Sequence, residues 1–152
     1  MIVPIRGLFE AHLTVRDLDR SIAFYRDVLG LPLAQVIPER NVAFFWVPTP
    51  DQAMLGLWSI GTSPLSMRLH IAFDVRLEHV LDSVVRLRAA GLTPCSLDHE
   101  PIDEPVVLTW MPAVSVYFDD PDGHSLEFIA MLEERPRPEL GPVMWSDWRR
   151  LA

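Results

Sequence analysis

Two histidines and one glutamate stand in three segments whose residues alternate between apolar and polar, as they do in β-strands. His12 lies in "EAHLTV", His70 in "LHIAFDV" and Glu127 in "HSLEFIAM". Successive side chains of a strand point to opposite faces, so the apolar neighbours that pack on a helix turn these three residues to the other face. Two imidazoles and a carboxylate aimed at a common centre are the ligand set of a divalent metal site with open positions. The pattern therefore predicts one metal ion bound by His12, His70 and Glu127.

The three segments belong to a unit that the chain contains twice. The first copy, 7–60, is a predicted strand, a helix with Asp17 as its N-cap and Gly30 past its end, and three further strands. A Gly/Ser/Pro-rich linker at 61–66 separates it from the second copy, 66–131, where strands are predicted at 92–97, 112–120 and 124–131. The repeat predicts an α+β fold of tandem βαβββ modules.

Composition excludes several other functions. The chain has 152 residues, 49% of them hydrophobic, which is typical of a globular domain with a core. The chain has 13 basic and 21 acidic residues, so we expect no nucleic-acid partner. All 13 basic residues are arginines, and without a lysine we expect no Schiff-base chemistry. Cys95 is the only cysteine, and no apolar run approaches the ~20 residues of a membrane helix. We expect a cytoplasmic protein without a membrane partner.

Three stretches carry a resemblance to a known family: "HLTVRDLDRSIAFYRDVLGL", "LHIAFDV" and "VYFDDPDGHSLEFI". Together they resemble the vicinal oxygen chelate superfamily, which includes glyoxalase I, extradiol dioxygenases, fosfomycin-resistance thiol transferases and bleomycin-resistance proteins. The resemblance covers residues 7–131 and implies one glyoxalase-like domain over 1–152, with 132–152 as an extension. It also implies curled mixed sheets around a central cavity, with one ion (Mn, Fe, Zn, Ni or Co) at His12, His70 and Glu127.

The activity within this superfamily stays open between lyase, isomerase, thiol transferase and dioxygenase types. Gly56 stands where glyoxalase I has a fourth ligand, a glutamate, and no histidine lies between His12 and His70 to match the acid/base histidine of extradiol dioxygenases. The acidic and apolar loop "DEPVVLTWMPAVS" does not suit a phosphonate dianion. Tyr117 matches a tyrosine that dioxygenases and fosfomycin enzymes place beside the metal, which implies a catalytic role.

Residues beside the predicted metal indicate the substrate class. Thr14 shares the inward face with His12 and matches a threonine that contacts substrate in the fosfomycin enzymes. If Gly56 faces inward, alternation turns its neighbours at positions 54 and 58 inward too. The predicted substrate contacts are Thr14, Phe45, Met54, Trp58 and Trp110. This lining favours a small apolar or aromatic molecule with one or two oxygens for the metal.

Two function classes and one assembly remain as hypotheses. The first class is a metal-dependent enzyme; the alternative is a binding protein, similar to bleomycin-resistance proteins, that sequesters an aromatic ligand without chemistry. A module of about sixty residues buries too little surface to be stable alone, so we expect a homodimer with the metal site at the subunit interface. In the tail we expect Trp145 and Trp148 to cap the cavity or dock on a second subunit.

Overall fold

The computed structural model describes residues 7–50, 52–59 and 68–151. The predicted linker at 61–66 lies outside the described residues. The chain divides into two compact units, Met1–Leu69 and His70–Ala152.

The first unit is one helix packed on a mixed four-stranded sheet. Its strands are β1 (Glu10–Val15), β2 (Leu33–Ile37), β3 (Val42–Trp46) and β4 (Met54–Ser59). Helix α1 (Leu18–Ala23) continues as a π-helical turn (Phe24–Val28), and a 3-10 turn (Pro38–Arg40) precedes β3. The strand order is β1-β4-β3-β2, with β1 and β4 parallel and the other neighbours antiparallel.

Local sequence explains how α1 begins and which sheet face it covers. The Asp17 carboxylate accepts a hydrogen bond from the Arg20 N–H at 3.0 Å, which satisfies one of the unpaired amides of the first turn. Leu13 on β1 and Leu57 on β4 are buried on the helix side, together with Tyr25. Because side chains alternate, His12 and Trp58 lie on the opposite face of the sheet.

The second unit is a five-stranded mixed sheet with a long helix. Its strands are β5 (His70–Asp74), β6 (Val106–Leu108), β7 (Ala113–Asp119), β8 (Ser125–Met131) and β9 (Val143–Met144). They lie in the order β5-β8-β7-β6-β9, with β5 and β8 parallel. The helices are α2 (Leu77–Ala89) and α3 (Trp145–Leu151), and a 3-10 turn (Pro138–Leu140) precedes β9.

Helix α2 packs on one face of β7 and β8, and Glu127 lies on the other face. Val80 and Val84 are buried on α2, and the rings of Phe118 and Phe128 lie 4.7 Å apart beneath it. Tyr117 and Glu127 alternate with these two phenylalanines, so they lie on the other face of the sheet. The two mixed sheets with few helices confirm the predicted α+β class.

One predicted strand is misplaced. Residues 92–97 contain Pro94, and there only Cys95 pairs, through isolated bridges to Pro101 and Tyr117. The first strand after α2 is β6 instead, within a stretch predicted to be a loop. Val106, Val107 and Leu108 are β-formers and all are buried, so packing selects them over the proline-containing segment.

The C-terminal tail adds an edge strand and a short helix. β9 pairs antiparallel with β6, and α3 buries Trp148 to 2% exposure while Trp145 stays half-buried. Trp148 is therefore covered by its own chain rather than presented to a second subunit. Among the described helices, none is long and apolar enough to cross a membrane.

Candidate functional site

His70 and Glu127 lie side by side because their strands are parallel neighbours. The His70 Nδ1 atom is 3.0 Å from the carbonyl oxygen of Ser125, its register partner. A carbonyl only accepts hydrogen bonds, so Nδ1 carries a proton, and the Nε2 atom faces the Oε2 atom of Glu127 at 3.1 Å. A carboxylate oxygen and a ring nitrogen with a lone pair repel each other at this distance unless they share a proton or a metal ion. The pair can therefore hold a shared proton or, in its place, a metal ion.

Two hydroxyl groups on β7 surround the Glu127 carboxylate, which is only 3% exposed. The Ser115 hydroxyl donates to the Oε1 atom of Glu127, while Oε2 faces His70. Tyr117 is the register partner of Glu127. Burial, and then the neighbouring charge of Glu127 and a hydrogen bond to it, raise the pKa of Tyr117 far above its usual range. The phenol therefore keeps its proton and acts as a donor.

His12 has a different environment in the first unit. The indole N–H of Trp58 donates to the Nδ1 atom of His12, and the Nε2 atom lies 3.2 Å from the Oε1 atom of Glu10. The edge of Phe44 meets the imidazole at 6.0 Å between ring centroids and 84° between planes. Gly56 leaves room for this ring, because a Cβ atom there would lie 2.9 Å from Nδ1.

The structure places two predicted substrate contacts near His12. Trp58 touches His12 directly, and Thr14 is the register partner of Trp58 on β1. Met54 lies on the same face of β4 as Trp58, since both are an even number of residues from Gly56.

Phe45 lies on the opposite face of its sheet from His12, and Trp110 lies in an exposed turn of the second unit. Phe45 is fully buried on the helix side of β3, where its ring packs against Tyr25, and Phe44 takes the position facing His12. The reason is register: Phe44 pairs with Gly56, so it shares the face of Gly56. Trp110 lies in the turn between β6 and β7, where its side chain is 63% exposed.

Comparison with known proteins identifies the family. The family described as Glyoxalase/Bleomycin resistance protein/Dioxygenase superfamily matches residues 7–128. The chain belongs to this superfamily. Metallothiol transferase FosB of Lysinibacillus sphaericus (strain C3-41) is 31% identical over 137 residues, which cover 83% of each chain.

Solved structures share the fold of this chain. The integron cassette protein HFX_CASS4, from the mobile metagenome of Halifax Harbour Sewage Outfall, superposes with a TM-score of 0.70 at 31% identity, covering 84% of this chain and 100% of that one. Lactoylglutathione lyase from Agrobacterium tumefaciens gives a TM-score of 0.64 at 25% identity, covering 84% and 95%.

The side chains of the second unit fit the metal that the superfamily implies, whereas His12 does not fit it as it is held here. His70 presents Nε2 towards Glu127 with its other nitrogen bound to a carbonyl, the usual support of a metal-binding histidine. Both nitrogens of His12 already have partners. In the part of the chain that the structure describes, no cluster of three or more His, Cys, Asp or Glu side chains is arranged to hold a metal.

Three side chains beside the predicted residues were not predicted as site residues: Glu10 and Phe44 next to His12, and Ser115 next to Glu127. Alternation does place Ser115, two residues before Tyr117, on the same face of β7, but it does not show the contact with Glu127. Glu10 likewise precedes His12 by two residues on β1. Phe44 required the β3–β4 register, which no local pattern supplies.

Proposed function

We propose that this protein is a metal-dependent enzyme of the superfamily, in which His12, His70 and Glu127 bind one divalent ion and a small oxygenated substrate. The observation that carries the proposal is the pair formed by His70 Nε2 and Glu127 Oε2, 3.1 Å apart. The name of the relative FosB, a metallothiol transferase, supports metal-dependent chemistry. Mn, Fe, Zn, Ni and Co all suit this ligand set.

The surrounding residues have separate roles in this proposal. When bound, the ion polarises a carbonyl or stabilises an enolate or alkoxide. The Ser125 carbonyl orients His70, and the Ser115 hydroxyl holds one oxygen of Glu127 so that the other stays directed at His70. Tyr117 supplies a hydrogen bond, or a proton, to an oxygen of the substrate.

Aromatic side chains near His12 indicate the chemical class of the substrate. The rings of Phe44 and Trp58 meet edge to face, 6.4 Å apart, and Met54 follows on the same face. With Thr14 as the polar neighbour, this surface favours an apolar or aromatic molecule with one or two oxygens.

A second candidate is a binding protein that sequesters an aromatic ligand without chemistry. The rings of His12 and Trp58, with 5.7 Å between their centroids and 30° between their planes, favour it, because with Phe44 they offer an aromatic surface without any metal. The two candidates differ in whether ligand binding requires an ion.

Metal binding tests the proposal. We expect the purified, metal-stripped protein to bind one Mn²⁺ or Zn²⁺ per chain in calorimetry. His70→Ala and Glu127→Ala should each weaken binding by at least roughly 100-fold, since losing a ligand costs more than losing an outer partner. His79→Ala on the exposed side of α2 should bind like wild type. Equal affinity in wild type and all three variants would reject the metal site. The second candidate, a protein that binds an aromatic ligand without a metal, would then be favoured.

A further inference from the structure

Every hydrogen-bonding atom around His12 points to one protonation pattern of its ring. An indole N–H can only donate, so the Nδ1 atom that receives it from Trp58 must present its lone pair. The ring proton is then on Nε2, which faces the carboxylate of Glu10, a group that only accepts when ionised. Trp58 and Glu10 thus select the same tautomer from opposite sides of the ring.

His70 has a different hydrogen-bonding environment. Its Nδ1 atom faces the Ser125 carbonyl and its Nε2 atom faces the Glu127 carboxylate, so both nitrogens meet acceptors and neither meets a donor. The difference comes from the neighbouring strand, because β8 offers His70 a backbone acceptor, whereas β4 offers His12 a side-chain donor.

Gly56 makes the contact between Trp58 and His12 possible. His12 and Gly56 are register partners, and a Cβ atom at position 56 would lie 2.9 Å from Nδ1 and 3.2 Å from the ring of Phe44. A side chain at position 56 would force the imidazole of His12 to shift away from the β4 backbone. The Arg40 guanidinium lies over the Trp58 ring, 4.8 Å from its centroid, and this cation–π contact also restrains the indole.

We propose that Trp58 is a positioning residue that sets the tautomer of His12 and so decides when this histidine can offer a lone pair to a metal. In the arrangement seen here, Nδ1 is occupied and Nε2 carries the proton. Ligation through Nε2 requires that proton to move to Nδ1, and Trp58 must then withdraw its N–H. Ligation through Nδ1 also displaces the indole. This inference rests on the proposed function only for its metal-binding consequence.

The tautomer is measured first, on metal-free protein, by long-range ¹H–¹⁵N correlation spectra of the histidine rings. In wild type we expect His12 to be protonated on Nε2. In Trp58→Phe, which keeps an aromatic ring but lacks the N–H, both tautomers of His12 should be populated. Trp46→Phe, on β3 of the same sheet, is the matched control and should leave His12 unchanged. His12 protonated on Nδ1 in wild type, or unchanged in Trp58→Phe, would overturn the inference.

A second measurement does not depend on the Trp58 variant. His12→Phe removes the acceptor, so the indole proton of Trp58 should exchange with solvent several-fold faster than in wild type. An unchanged exchange rate would show that the indole does not donate to His12, against the inference.

Zn²⁺ affinity then tests the consequence. Because ligation no longer requires breaking the indole hydrogen bond, Trp58→Phe should bind Zn²⁺ about threefold to tenfold more tightly than wild type and Trp46→Phe. Equal or weaker binding would overturn the link between Trp58 and ligation. If no protein binds Zn²⁺, the proposed function fails, and the tautomer spectra alone decide the role of Trp58.

Discussion

At the scale of single residues, the buried carboxylate of Glu127 determines what its neighbours do. Ser115 donates to one of its oxygens and His70 faces the other, so both oxygens are satisfied in a place that water barely reaches. Its negative charge also helps to keep the phenol of Tyr117 protonated. A buried charge without such partners would be costly, which is why these side chains act as one group.

Tyr117→Phe tests whether the phenol takes part in catalysis. We expect turnover of a substrate found by screening to fall by about 10²-fold or more if Tyr117 transfers a proton. Metal content should stay the same, because the phenol is not one of the proposed ligands. The measurement is steady-state kinetics together with metal analysis of the same sample. Unchanged turnover would assign Tyr117 a packing role only.

At the scale of elements, the C-terminal tail protects the outer edge of the second sheet. β9 pairs with Val106 and Val107 of β6 and so covers part of that edge strand. The side chain and backbone N–H of Ser146 both donate to the Glu104 carboxylate at 2.8 Å, which fixes the start of α3. Trp148 then packs beneath the guanidinium of Arg137, 5.8 Å from its ring centroid.

Trp148→Ala should reveal how strongly the tail is attached. We expect the free energy of unfolding to fall by about 3–5 kcal/mol, because a large buried ring leaves a cavity. Trp110→Ala is the matched control: its ring is mostly exposed, so the loss should stay within roughly 0.5 kcal/mol. Urea unfolding followed by circular dichroism measures both. Equal losses would mean that the tail contributes no packing energy.

At the scale of the whole molecule, both units are small. The chain divides after Leu69, and a domain of about 60 residues buries only about 60% of the surface that its unfolded chain exposes, so pairing with a second chain would stabilise both units. We propose a two-fold homodimer in which His12 of one chain serves the same metal as His70 and Glu127 of the other.

Mixing two variants that each lack one proposed ligand tests this assembly. A His12→Ala chain and a Glu127→Ala chain each lack one ligand. In a dimer that shares ligands, the heterodimer has one complete site and one site with a single ligand, so metal binding should return in part after re-equilibration. Calorimetry on the mixture measures it, with each variant alone as the control. Folded mixtures that bind no metal would place all three ligands within one chain.

The faces of the strands could be predicted from sequence because they follow from a local period of two. Leu13 on one side forces His12 to the other, whatever strand lies next to it. The N-cap at Asp17 and the resemblance to the superfamily are likewise properties of short stretches. From these alone the α+β fold and the candidate ligands could be named.

Tertiary structure decided everything that depends on which strand lies beside which. The β3–β4 register turned Phe44, not Phe45, towards His12. Pairing of β1 with β4 set an indole donor against one histidine, and pairing of β5 with β8 set a carbonyl acceptor against the other. These contacts join residues 46 and 55 positions apart in the chain. Local periodicity carries no information at that separation, because register arises from the packing of the whole sheet.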